Sequence, residues 1–209
     1  MTEPLVSVLT CYHPSRPNEW LLTAIDCFKS QTWQNKELII ISDTTATSLS
    51  AKRNAGIREA RGEYIIHFDD DDWSGPRRIE DQMTTLLQCP SYLNPNPVLS
   101  SYTRCFWWDR VTKRASFYNC PVPAGGGPMF CYKRGFALDN PWDESVVTSE
   151  DMPFVKAALK MGYVPVTDAG DNLVLTQHHL SAQRAMDKTP FALIETRELP
   201  AEFRKVMGI

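Results

Sequence analysis

The sequence predicts an α/β fold, a Rossmann-like and mostly parallel sheet flanked by helices, with a smaller mixed region after it. Three observations predict this. Short apolar runs rich in β-branched residues recur at residues 5–11, 37–41 and 64–68, the pattern of strands buried on both faces. Segments with helical spacing separate them, and the connections are short. The charged and polar residues that follow the runs gather at the strands' carboxyl ends, where sheets of this kind bind ligands.

The first run ends at Cys11, and Pro14 and Pro17 force a loop. A helix is expected from Asn18, a possible N-cap, with Leu21, Leu22, Ile25 and Phe28 as its apolar positions. The second run ends at Ser42-Asp43. A polar helix over residues 50–60 follows, with Ala55 and Ile57 inward and Gly62 beyond its end. The third run leads without a break into Asp69-Asp70-Asp71-Asp72, and Pro76 marks the start of a helix carrying Ile79, Met83, Leu86 and Leu87. Residues 98–108 and 113–118 read as a strand pair about Asp109-Arg110. The three glycines at 125–127 precede a short run at 128–132. Thr148 or Ser149 is a candidate cap for a helix over 150–161, and strands are expected at 163–167 and 172–177. The tail from Ser181 is expected to be loop with one or two short helices. The reading is one domain over residues 1–209, with a first half (1–96) and a second half (97–209).

Bulk properties narrow the function. The chain has 209 residues, 43% of them hydrophobic and 22% charged, with a net charge of −3, which fits a folded chain rather than a disordered one. No basic stripe supports a nucleic-acid partner, although a local patch remains open. No apolar run is long enough to span a bilayer, and no secretory leader opens the sequence. The six cysteines form no Cys-x-x-Cys pair, so a cytoplasmic protein with reduced thiols is expected, with peripheral membrane association left open.

The four adjacent aspartates repel one another, and a bound cation or a set of donors must recover part of that cost. Their place directly after a buried strand favours a ligand role over a solvated loop, and hard oxygen donors suit Mg²⁺ or Mn²⁺. On an extended segment Asp69 and Asp71 would share one face and Asp70 and Asp72 the other. Asp71 is the expected metal residue, and Asp72 is expected to cap or to serve structure.

Residues 6–10, Gln31-Thr32-Trp33, residues 37–43, Arg53-Asn54-x-Gly56, Ala60-Arg61-Gly62-Glu63-Tyr64 and residues 68–76 together resemble the family 2 glycosyltransferases of GT-A fold. The resemblance covers about residues 4–87 and resumes at Glu150-Asp151. It implies a nucleotide-binding first half and an acceptor-binding second half. Thr10, Tyr12, Asp43 and Arg53 would lie at the nucleotide. Asp69-x-Asp71 matches the family's DxD motif, with Asp69 near the ribose and Asp71 on the metal, Mn²⁺ or Mg²⁺; Asp70 could share either duty. Asp151 would be the catalytic base and Glu150 its neighbour in acceptor binding, against the alternative of two acids favoured by a helix dipole. His179, or His178, resembles a residue that completes the metal shell in some GT-A enzymes, and an ordinary His pair is as good a reading.

The implied reaction is inverting transfer of a sugar from a nucleotide-diphosphate donor, by family habit a UDP-sugar, to an acceptor hydroxyl in glycan or polysaccharide synthesis. Ser42-Asp43-Thr44-Thr45 departs from the usual Asp-Asp-Gly-Ser, which weakens the choice of base. Two rivals are a transferase acting on modified DNA and a sugar-nucleotide-binding protein without turnover. Trp107, Trp108 and Trp142 read as core more readily than as sugar platforms, and His13 and His67 as structural.

Overall fold

The computed structural model describes residues 3–42, 48–90, 92, 96–120, 126–146, 149–162, 164–177 and 191–209. Their strands join in one ten-stranded sheet. Strands β1 (Val6–Cys11), β2 (Lys36–Ile41) and β3 (Tyr64–His67) are parallel, with β1 in the middle. Beyond β3 the sheet becomes mixed. β7 (Phe130–Lys133) lies antiparallel to β3 and to β5 (Leu99–Asp109), and β5 pairs in turn with β6 (Arg114–Asn119), which carries β10 (Phe191–Ile194) at the edge. β8 (Val166–Asp168) and β9 (Leu173–Gln177) run parallel to successive parts of β5, and β9 also pairs with the two-residue β4 (Trp73–Ser74). The sheet is thus parallel where the first half of the chain builds it and mixed where the second half extends it.

The helices are α1 (Asn18–Lys29), α2 (Leu49–Glu59), α3 (Arg78–Leu87), α4 (Arg134–Asp139), α5 (Asp151–Lys160) and α6 (Ala201–Met207). One apolar cluster packs α2, α4 and α5 against the sheet through Ile57, Phe136, Trp142, Phe154 and Val155. The other gathers α1, α3 and α6 through Cys27, Ile79, Met83 and Phe203. Cores on both sides leave the strand ends as the rims where polar groups can collect. Among the described residues no helix is long and apolar enough to cross a membrane.

Several local expectations change. Asn18 is the first residue of α1, and Pro17 stands at the N-cap. The buried face of α1 is Trp20, Ala24 and Cys27, while Leu22 is 58% exposed. The two stripes lie side by side on a helix, and Phe28 of the expected stripe still packs partly against the core beside Cys27. β2 is not doubly buried, because it is the last strand of the sheet on its side and Ile40 is partly exposed. Ser48 caps α2, its Oγ accepting from Ala51 N at 3.1 Å. Leu87 is exposed at the end of α3. Ser149 does not cap α5 with its side chain; Glu150 occupies the N-cap position, and Ser149 adopts a positive φ of 57°. β4, α4 and β10 had no clear sequence signal, being short or placed in a tail rich in polar residues.

Candidate active site

The rim at the carboxyl ends of β1 and β3 holds most of the expected residues. The aspartate run is a turn rather than an extended segment, closed by Asp72 N donating to Asp69 O at 3.2 Å. The expected alternation is therefore wrong, and the turn sorts the carboxylates differently. Asp69, Asp71 and Asp72 each bring one oxygen to within 4.8 Å of the others. Asp70 leaves the group and pairs with Arg16.

The turn is fixed from β9 and from the β5–β6 hairpin. Thr176 N donates to Asp72 Oδ1 at 2.7 Å, Thr176 Oγ1 donates to Asp71 O, and Arg110 Nη2 reaches Asp71 O at 3.1 Å. Arg110 also lies over the Trp20 ring at 5.3 Å. Asp72 does not cap α3; its structural duty is to receive β9, and its carboxylate still belongs to the acid group. Gln177 O accepts from Arg110 N at 2.8 Å, so β9 ends beside the acid turn. His178 and His179 follow in the sequence and lie outside the described residues, as do Asp43, Thr44 and Thr45.

Electrostatics mark the same turn. Burial, with Asp71 and Asp69 adding to it, holds the Asp72 carboxyl well above its usual range. Burial also raises Asp69, against the opposing pull of Arg53. Asp70 is raised to about 6, again chiefly by burial. Carboxyls in this state resist ionisation unless positive charge is supplied. Three convergent carboxylate oxygens are also the donor type that Mg²⁺ and Mn²⁺ prefer. The residues therefore fit a divalent ion, with Asp69, Asp71 and Asp72 as the group that would hold it.

Arg53 connects this turn to the distant acid pair. Its side chain is 1% exposed and lies over the Trp142 ring at 4.4 Å. Nη1 meets Glu150 Oε1 at 2.9 Å, and Nη2 lies 4.0 Å from Asp69 Oδ2. The same guanidinium closes on Gly127, where an added Cβ would fall 2.8 Å from Nη2. Asp151 opens α5 and accepts from Gly127 N through Oδ2 at 3.2 Å. Burial and then Glu150 raise its pKa. Asp69, Glu150 and Asp151 are brought together although some eighty residues separate them in the sequence.

The remaining expected residues divide between the rim and its support. Thr10 is buried at the end of β1, its Oγ1 without a hydrogen-bond partner among the described residues. Tyr12 donates its hydroxyl to Asn18 Oδ1 at 2.6 Å and to Arg16 O at 3.1 Å, and its carbonyl accepts from Lys52 Nζ at 2.9 Å. It anchors the loop after β1. His67 is fully buried against Tyr132 Oη at 2.7 Å, and Trp108 and Trp142 are core, as expected. Arg16, Arg110 and Thr176 were not foreseen. The available signal for Arg16 was its place, a cation in the loop after the first strand, on the rim where the acids gather.

The family model described as glycosyl transferase family 2 matches residues 44–135. EpsH of Bacillus subtilis (strain 168), named as a glycosyltransferase, is 29% identical over 109 residues, covering 41% of this chain and 31% of its own length. Residues 44–135 are thus similar to the family 2 glycosyltransferases. The fold is similar to that of solved glycosyltransferase structures. The S. aureus TarS structure superposes with a TM-score of 0.60 at 14% identity, covering 82% of this chain and 36% of TarS. A TarS fragment in complex with UDP-GlcNAc gives 0.56 at 12% identity, over 97% of this chain and 64% of that one. The Pyrobaculum calidifontis mannosyltransferase PcManGT, in complex with GDP-Man and Mn²⁺, gives 0.56 at 14% identity, over 84% of this chain and 57% of that one. The chain spans about a third of the length of EpsH and of the TarS chain it matches.

Proposed function

We propose that the chain transfers a sugar from a nucleotide-diphosphate donor to an acceptor hydroxyl, with inversion at the anomeric carbon. The observation that carries this reading is the joining of two acid groups on one rim through Arg53. One group, Asp69 with Asp71 and Asp72, suits a divalent ion. The other, Glu150 with Asp151, suits proton abstraction. We further propose one domain, with residues 1–96 serving the donor and 97–209 the acceptor. The neighbours' UDP-GlcNAc and GDP-Man make UDP- and GDP-sugars the first donors to try.

A divalent ion, Mn²⁺ or Mg²⁺, would neutralise charge growing on the diphosphate as the glycosidic bond breaks. Asp71 and Asp69 would hold it, with Asp72 behind them. Asp151 takes the proton from the acceptor hydroxyl during attack, a contribution of about 10²–10⁴-fold in comparable cases. Its raised pKa makes it a better proton acceptor once ionised than an exposed aspartate. Glu150, held by Arg53, faces the acceptor. Attack from the side of Asp151, opposite the leaving diphosphate, inverts the centre. Thr10, Tyr12 and Asp43 serve the nucleotide, Arg53 supports both acid groups from beneath, and His179 follows the strand that fixes the acid turn and is a candidate to complete the metal shell. The cell compartment proposed is the cytoplasm.

Calorimetric titration with UDP, GDP, CDP and dTDP, with and without Mn²⁺, tests the reading. Binding of one diphosphate that requires Mn²⁺ and is lost in Asp71→Ala supports it. Binding that ignores both metal and mutation removes the role given to the acid turn.

A further inference from the structure

Arg16 is the one cation in the β1–α1 loop that touches the acid turn. The loop holds it firmly: Arg16 N donates to His13 O at 2.9 Å, Ser15 N donates to His13 Nδ1 at 3.1 Å, and the Tyr12 hydroxyl caps Arg16 O. Its Nη1 pairs with the buried Oδ1 of Asp70 and lies 3.6 Å from Asp71 Oδ2. The side chain remains 28% exposed while that of Asp70 is 1% exposed. Both carboxylate contacts run through Nη1, so the N–H groups on Nε and Nη2 are not spent on them. A guanidinium presents donors in a planar fork that matches phosphate oxygens.

We propose that Arg16 is a diphosphate-binding residue that rests against Asp71 until the donor arrives. This rests on the reading of the site as a nucleotide-sugar site. Asp70 anchors the guanidinium through Nη1, which gives the fourth carboxylate of the turn, buried outside the acid group, a task. Arg16, still 28% exposed, reaches through Nη1 to 3.6 Å from Asp71, the residue assigned to the ion. A diphosphate held at that group would meet a second positive charge there, besides Arg53, which contacts Asp69. The opposing contact with Asp71 follows from the same placement. Before an ion binds, Arg16 supplies part of the charge the carboxylates need; afterwards it is released toward phosphate.

The test is calorimetry on the whole chain with three probes: Mn²⁺ alone, UDP or GDP in saturating Mn²⁺, and the nucleoside uridine or guanosine. Wild type is compared with Arg16→Gln and with Arg16→Gln/Asp70→Asn, which removes the buried pair together and leaves no stranded carboxylate. Melting curves confirm that each variant is folded. The expected result is a loss of about 10- to 100-fold in diphosphate affinity in both variants. Nucleoside binding should be unchanged, and Mn²⁺ alone should bind at least as tightly, because a positive charge near Asp71 is gone. Unchanged diphosphate affinity, or equal losses for nucleoside and diphosphate, would overturn the proposal. Recovery of diphosphate affinity in the double variant would do the same, reducing Arg16 to the counter-ion of Asp70. Failure of wild type to bind any diphosphate would bring down the functional reading as well, so the two failures are distinguishable.

Discussion

At the amino ends of the parallel strands, Glu37 sits among donors. Its Oε1 accepts from Ser7 Oγ at 2.6 Å, Arg61 N at 2.7 Å and Gly62 N at 3.2 Å, and its Oε2 takes the Arg61 side chain at 2.6 Å. Burial alone would raise this carboxyl, but the combined hydrogen bonds from Ser7 and Arg61 lower it. At the carboxyl ends of the same strands Asp69, Asp70 and Asp72 are all raised. Both rims bury acids next to arginines. One satisfies its carboxylate within the protein and thereby ties three strands together. The other leaves carboxylates that burial raises despite their arginine neighbours. The first pattern is that of an acid satisfied by the fold, and the second is the one expected where a ligand brings further positive charge.

The comparison breaks most readily at Asp71. Asp71→Ala should reduce transfer by at least ~100-fold, read as product formed from a radiolabelled donor, while the melting temperature stays near wild type. If stability collapses instead, the carboxyl rim is structural like the amino rim.

Asp151→Asn should lower transfer by about 10²–10⁴-fold while Mn²⁺-dependent diphosphate binding persists. The pH dependence follows from the sign of the shift. The Asp151 pKa is raised above 3.8, and the base works only when ionised. kcat/KM should therefore fall as the pH drops through a value above 3.8, and this limb should vanish in Asp151→Asn. A carboxyl raised in the native state favours the fold when protonated and costs stability as pH rises past its native pKa. Asp151→Asn should accordingly melt no lower than wild type at pH 7.

Two glycines give a matched pair of tests. At Gly62 an added Cβ would lie 2.5 Å from Ser7 Oγ and 2.6 Å from Ser7 N, against backbone that cannot yield. Gly62→Ala should cost about 1–3 kcal/mol or more in chemical denaturation and leave diphosphate binding intact in the folded fraction. At Gly127 the added Cβ meets the Arg53 guanidinium, so Gly127→Ala should disturb Glu150 and Asp69 and reduce transfer more than it reduces stability. Equal effects of the two changes on stability would erase the contrast between the rims. The smallest effect is expected at Arg61→Ala. That side chain is 79% exposed, and its loss should cost less than about 1 kcal/mol, since Ser7 and two backbone N–H groups still hold Glu37.

Much of this was legible in the residues. The strands of the first half, the rim they create and the acids on it follow from apolar runs whose burial dominates any other preference. Asp69, Asp71, Glu150 and Asp151 were singled out in advance; the structure groups Asp69 with Asp71 and links Asp69 through Arg53 to Glu150, next to Asp151. The orientation of the acid turn was not foreseen. Side-chain alternation holds for extended chain, and the run bends because Asp72 N finds Asp69 O and β9 finds Asp72.

The sequence by itself determined the α/β order of the first half, the gathering of polar strand ends on one rim and the resemblance to a family, because these depend on local periodicity and on residue types at short spacing. Tertiary structure alone decided which carboxylates face one another, that Arg53 joins Asp69 to Glu150, and that Arg16 and Thr176 meet the acid turn. Those contacts span some fifty to a hundred residues. Their geometry depends on how the mixed half of the sheet packs beside the parallel half, and no local pattern in the chain encodes that packing.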